Sequence, residues 1–118
     1  MPNLALLVDG VVVQRFALQR PLMRVGRSPA NDIQLDDLSV SSAHALVEGR
    51  PSRYLEGSFE YQVVDLDSTN GTFVNGTRVQ RQALIHGDEL RLGYTVFKFQ
   101  EEAAPLSSTA YMLPEQQD

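Results

Sequence analysis

Three short segments of this chain carry side chains suited to holding an anion. The first is Gly26-Arg27-Ser28, continued by Asn31-Asp32-Ile33. The second is Ser41-Ser42-Ala43-His44. The third is Asp67-Ser68-Thr69-Asn70-Gly71-Thr72, closed by Val74-Asn75-Gly76. Together they supply a guanidinium, several hydroxyls, carboxamides and backbone N–H groups beside glycine. That inventory donates hydrogen bonds to an anion rich in acceptor oxygens. A phosphate monoester fits it, presenting three strong acceptors and close to two negative charges. Arginine adds a planar fork that matches an oxyanion.

These segments need a frame, and the rest of the sequence reads as short strands separated by turns about every eight to twelve residues. Leu4 to Val8 and Val11 to Leu18 flank Asp9-Gly10, a pair that favours a two-residue type I′ turn, so residues 4–18 are expected to form a hairpin. Brief strands are expected at Met23 to Gly26, Ile33 to Leu35 and Ala43 to Glu48. Phe59, Tyr61 and Val63 alternate with Glu60 and Gln62, the period of a half-buried strand. A second hairpin centres on Asn75-Gly76, between Phe73-Val74 and Thr77 to Val79. Further strands are expected at Glu89 to Leu92 and Tyr94 to Phe99. The expected fold is all-β: a two-sheet antiparallel β-sandwich of about ten or eleven strands, with the three segments in its loops.

Composition narrows the chemistry. The 118 residues fit one domain, and 42% hydrophobic with 21% charged residues is an ordinary globular balance. No cysteine is present, which excludes disulfides, thiolate nucleophiles and cysteine-ligated metals. The net charge of −5 runs against nucleic-acid binding, although nine of the ten basic residues are arginine. No apolar run is long enough to cross a membrane as a helix, and the start lacks a basic secretory segment. The expected location is the cytoplasm. Catalysis is not expected: Ser41 and His44 lack the Gly-x-Ser-x-Gly elbow, and no nucleotide phosphate loop is present. Asp36-Asp37 and Asp65-Asp67 have no nearby histidine, so no metal site and no cofactor is expected.

The ordered set Gly26-Arg27, Asn31-Asp32-Ile33, Val40-Ser41 with His44, Asp67 through Gly76, and Gly87-Asp88 resembles a forkhead-associated (FHA) domain. The resemblance covers about Pro21 to Phe99. It implies an eleven-stranded β-sandwich of the SMAD/FHA type that binds phosphothreonine peptides through loops at one end. By this resemblance Arg27 clamps the phosphate, and Ser41 and Ser42 add hydrogen bonds. Thr69 faces the phosphate side and Asn70 holds the peptide backbone, while Gly26, His44, Gly71 and Asn75 shape the loops. The implied partner is a phosphothreonine-containing protein in a Ser/Thr protein kinase pathway. The alternative is a phospho-independent interaction or oligomerisation scaffold of the same fold.

Ser42 departs from the family pattern, where arginine, lysine or asparagine is frequent, so a short neutral hydroxyl replaces a longer donor. The residue preferred after the phosphothreonine is expected to depend on Gly49 to Ser58, with Arg50 and Arg53, and on the turn around Ser39. Asp36 and Asp37 favour neutral or basic flanks. On this reading 1–100 form the FHA domain, and 101–118 a flexible tail or linker stub with Thr109 as a speculative phosphosite and Met112 three positions on. The chain is a monomer or part of a larger protein.

Overall fold

A computed structural model describes residues 2–101; Thr109, Met112 and the rest of the expected tail beyond Glu101 lie outside the described residues. Eleven strands form two sheets. They are β1 (Asn3–Val8), β2 (Val11–Ala17), β3 (Leu22–Gly26), β4 (Ile33–Gln34), β5 (Ala45–Pro51), β6 (Phe59–Asp65), β7 (Thr72–Val74), β8 (Thr77–Val79), β9 (Arg81–Leu84), β10 (Glu89–Leu92) and β11 (Thr95–Gln100). The first sheet has the order β2-β1-β11-β10-β7-β8 and the second β4-β3-β5-β6-β9. Among the described residues no helix is long and apolar enough to cross a membrane.

Alternation in the strands builds the core. Leu4, Leu90, Leu92, Phe97 and Phe99 of the first sheet face Val25, Ile33, Val47 and Val63 of the second, and all are almost completely buried. Phe16 meets Phe97 edge to face at 6.1 Å between ring centres, and Tyr61 packs on Phe99 at 5.7 Å. Asp9 and Gly10 have φ of 52° and 78°, and Asn75 and Gly76 have 50° and 84°. Both hairpin turns thus place two positive φ angles in a row, as type I′ requires.

The structure differs from the expectation in three places. β9 carries no strand signal in the sequence, because Arg81-Gln82-Ala83-Leu84 is a short, mostly exposed edge strand with no apolar alternation. β5 starts at Ala45 rather than Ala43, since the backbone around Ser41 to His44 bonds to β3 and its loop instead. β4 runs parallel to β3, pairing Val25 with Ile33, so the second sheet is not purely antiparallel.

Candidate functional site

Four connections meet at one end of the sandwich: residues 27–32, 35–44, 66–71 and the turn 93–94. Backbone bonds join the first two, with Arg27 N–H donating to the Ser41 carbonyl at 3.0 Å and Ser28 N–H to the Ser42 carbonyl at 3.2 Å. Gly26 permits this approach: a Cβ there would lie 2.3 Å from the Ser42 carbonyl oxygen and 2.8 Å from Asn31 Nδ2. Asn31 ties the same loops, donating from Nδ2 to the carbonyls of Ser28 and Ser42 at 2.8 and 2.7 Å.

Arg27 is exposed, yet its orientation is fixed because Nε donates to the Val40 carbonyl at 3.0 Å. That leaves the two terminal nitrogens of the fork for an external acceptor. Ser41 Oγ accepts from the Thr69 N–H at 3.0 Å, so its own proton is available to donate outward. Asn70 lies on the same rim and donates from Nδ2 to the Ser39 carbonyl at 2.8 Å. Arg27, Ser41, Thr69 and Asn70 therefore belong to one connected set of loops.

His44 locks this set from below. It is completely buried; Nδ1 accepts from Ser41 N–H at 3.1 Å and Nε2 lies 2.9 Å from the Gly71 carbonyl. Those partners assign the tautomer: Nδ1 must be bare to accept, and Nε2 carries the proton that goes to Gly71. One neutral ring thus joins 35–44 to 66–71. Leu66 N–H adds a bond to the His44 carbonyl at 2.9 Å.

Two carboxylates brace the loops further. Asp65 Oδ1 accepts from Ser68 Oγ at 2.6 Å and Thr72 Oγ1 at 2.7 Å, while Oδ2 accepts from Ser68 N–H at 3.2 Å. Burial pushes the Asp65 carboxyl up, but the Ser68 and Thr72 hydrogen bonds outweigh it and hold the group below its ordinary value. Ser68 Oγ also accepts from Gly71 N–H at 3.0 Å, closing the loop that carries Thr69 and Asn70. Asp37 accepts from Thr95 Oγ1 at 2.6 Å and from both Ser39 N–H and Ser39 Oγ, at 2.9 and 2.8 Å. The Thr95 bond, followed by the Ser39 backbone bond, lowers its pKa. Ser39 Oγ in turn accepts from Tyr94 N–H at 2.8 Å, which fastens the turn 93–94 to the others.

Comparison with known proteins gives this arrangement a family. The family model described as the FHA domain matches residues 23–93. The chain belongs to the FHA-domain family. It is 48% identical over 79 residues to the glycogen accumulation regulator GarA of Mycolicibacterium smegmatis, a match covering 67% of this chain and 46% of that protein. It is 46% identical over 79 residues to the oxoglutarate dehydrogenase inhibitor of Corynebacterium diphtheriae, covering 67% and 50%. The match thus spans about half the length of these curated relatives. Among solved structures, Mycobacterium tuberculosis EmbR in complex with a low-affinity phosphopeptide shares 32% identity and a TM-score of 0.70, covering 84% of this chain and 24% of that one. An FHA domain solved in an analysis of phosphothreonine-dependent FHA interactions shares 30% identity and a TM-score of 0.70, covering 85% and 95%.

The remaining predicted residues of this FHA domain fall into two groups. Ser42 is exposed beside Ser41 and has no side-chain hydrogen bond among the described residues, while its carbonyl is consumed by Ser28 and Asn31. Gly71 has a φ of 91°, which strains any side chain, and a Cβ there would also press on Arg78 Nε at 2.9 Å. Asn75 stands apart, in the β7–β8 turn: Nδ2 donates to Asp88 Oδ1 and Oδ1 accepts from Glu89 N–H, both at 2.9 Å. It braces Gly87-Asp88 rather than the four loops.

The expectation for Gly49 to Ser58 is corrected by strand direction. β5 leaves the four loops at Ala45, paired with Asp65, and reaches Pro51, paired with Phe59. Arg50 and Arg53 therefore sit at the far end, roughly 20 Å away at the rise of a strand. Asp37 also braces the loops: its carboxylate accepts from Ser39 and Thr95. Sequence reading missed the bracing roles of Asp37, Ser39, Asp65, Ser68 and Thr72. For Asp65 a signal existed, because it falls two residues after inward-facing Val63 and so had to point into the core and find partners there.

Proposed function

We propose that this chain is a non-catalytic recognition module that docks phosphothreonine-containing protein partners in a Ser/Thr kinase pathway. The observation that carries the reading is the aimed guanidinium: Arg27 Nε is held by Val40 while Ser41 Oγ is held by Thr69 N–H. A phosphate placed above them would receive the terminal nitrogens of Arg27, the Ser41 proton and the Ser42 hydroxyl. Thr69 borders the same space. Asn70 has one amide proton engaged, which leaves its Oδ1 to accept from the main chain of a bound peptide. Because these groups are positioned before binding, little ordering cost falls on the protein.

The family and the related EmbR–phosphopeptide complex support this reading, and the relatives named as a regulator and an inhibitor support a role without turnover. We place the molecule in the cytoplasm, with residues 1–100 as the recognition unit and 101–118 as a tail or linker stub. Calorimetry with matched threonine, phosphoserine and phosphothreonine peptides tests the proposal. Binding of the phosphothreonine form alone, with a Kd near micromolar, is expected. Equal binding of all three would instead favour the phospho-independent scaffold.

A further inference from the structure

A second surface borders the phosphate-facing loops and shares their 35–44 and 93–94 connections. An open groove of about 880 Å³ runs between the β1–β2 hairpin and the connection from β4 to β5. Its apolar lining includes Leu6, Leu7, Phe16, Leu35 and Val96. Its lining includes Asp9, Asp36 and Asp37 and contains no lysine or arginine. It arises because β4 is only two residues long, so the side of the sandwich between the edge strands β2 and β4 is not closed.

The rim carries large apolar side chains facing water. Leu38 is 89% exposed, Tyr94 79% and Val8 53%. Unlike apolar residues on a free-standing tip, Leu38 and Tyr94 sit on backbone that neighbouring hydrogen bonds tie down. Leu38 lies between Asp37, bonded to Thr95 and Ser39, and Ser39, which accepts from Tyr94 N–H. Exposed apolar side chains on a tied-down backbone, beside a half-buried apolar lining, are what a binding surface needs, and the backbone needs little further ordering.

We propose that this groove docks a segment of a protein partner in which lysine or arginine alternates with apolar side chains, independently of any phosphate. Charge complementarity selects that occupant: an acidic groove in a chain of net charge −5 attracts a basic segment. A second copy of the same face would bring like charges together. The apolar side chains of the segment meet the apolar lining, and its cations meet Asp9 and Asp36, both exposed.

The test is an NMR titration of the 15N-labelled full chain with an acetylated, amidated Arg-Leu repeat hexapeptide, alongside its Glu-Leu counterpart. The Arg-Leu peptide is expected to shift the amides of Leu38, Tyr94 and Val96, and the Glu-Leu peptide to leave them in place. The double variant Asp9→Asn with Asp36→Asn is expected to weaken binding about tenfold, about 1.4 kcal/mol. Both sites are exposed, and asparagine suits the Asp9 turn equally well. Arg27→Ala is expected to leave this binding within about twofold. A chain that ignored phosphothreonine peptides yet bound Arg-Leu here would contradict only the phosphate reading. The groove proposal is overturned by the absence of shifts at about millimolar peptide, by equal shifts with Glu-Leu, or by binding unchanged in the double variant. Shifts that follow protein concentration alone would also overturn it, assigning the groove to a second copy.

Discussion

At one end of the sandwich, four connections are cross-linked by hydrogen bonds between residues far apart in sequence: His44 to Gly71, Ser41 to Thr69, Asn70 to Ser39, Asn31 to Ser42. At the other end, the excursion between β5 and β6 bonds only to itself and its own strands. Ser52 Oγ accepts from the N–H groups of Tyr54 and Leu55, Ser58 N–H donates to Leu55, and Ser52 N–H to Ser58. Tyr54 and Leu55 there are 83% and 65% exposed. Both ends are loops rich in serine. What separates them is whether hydrogen bonds, the buried one of His44 among them, tie one loop to the next, and that connection makes a set of loops act as one preorganised surface.

Breaking the contrast at its strongest point means removing Arg27. Arg27→Ala is expected to weaken phosphothreonine-peptide binding by on the order of 100-fold, as loss of about 3 kcal/mol of ionic hydrogen bonding. The pair Arg50→Ala with Arg53→Ala, at the far end, is expected to change it less than about twofold. Calorimetry on the two variants measures both.

The bracing groups come next. His44→Ala opens a buried cavity and strands the Ser41 N–H, so a loss of about 3 kcal/mol in urea unfolding is expected. Tyr54→Ala and Leu55→Ser are expected to stay within about 0.5 kcal/mol. Equal losses at both ends would erase the distinction.

Acid sharpens it further. Asp65 and Asp37 are held below their ordinary values in the folded protein, so their ionised forms favour the fold. That contribution is present above the unfolded carboxylate value of about 3.9 and is lost as pH falls through the lower folded-state values. The stability gap between the natural chain and Asp65→Asn should therefore narrow from pH 6 towards pH about 2. A gap that stays constant would show that Asp65 does not titrate with folding. Peptide affinity is expected to fall more gently, by several-fold between pH 7.5 and 5, because the phosphate second pKa is about 6.

The strands were legible where alternation and Asn-Gly or Asp-Gly turns punctuate them, because those signals are local. The edge strand β9 was not, since Arg81-Gln82-Ala83-Leu84 pairs with β6 only through tertiary context. At the loops, Arg27, Ser41, Thr69 and Asn70 could be picked out by type. Their support could not, because Asp37 to Thr95 and Asp65 to Thr72 are partnerships set by how two sheets stack. Arg50 and Arg53 attracted a role by charge alone, and only the direction of β5 shows which end they occupy.

The most direct measurement is a crystal structure of the full chain with a phosphothreonine peptide. The account predicts phosphate oxygens about 2.7–3.2 Å from the Arg27 terminal nitrogens and Ser41 Oγ, with Asn70 on the peptide backbone. A phosphate seated on Arg50 and Arg53, or a peptide whose phosphate touches neither Arg27 nor Ser41, would contradict it.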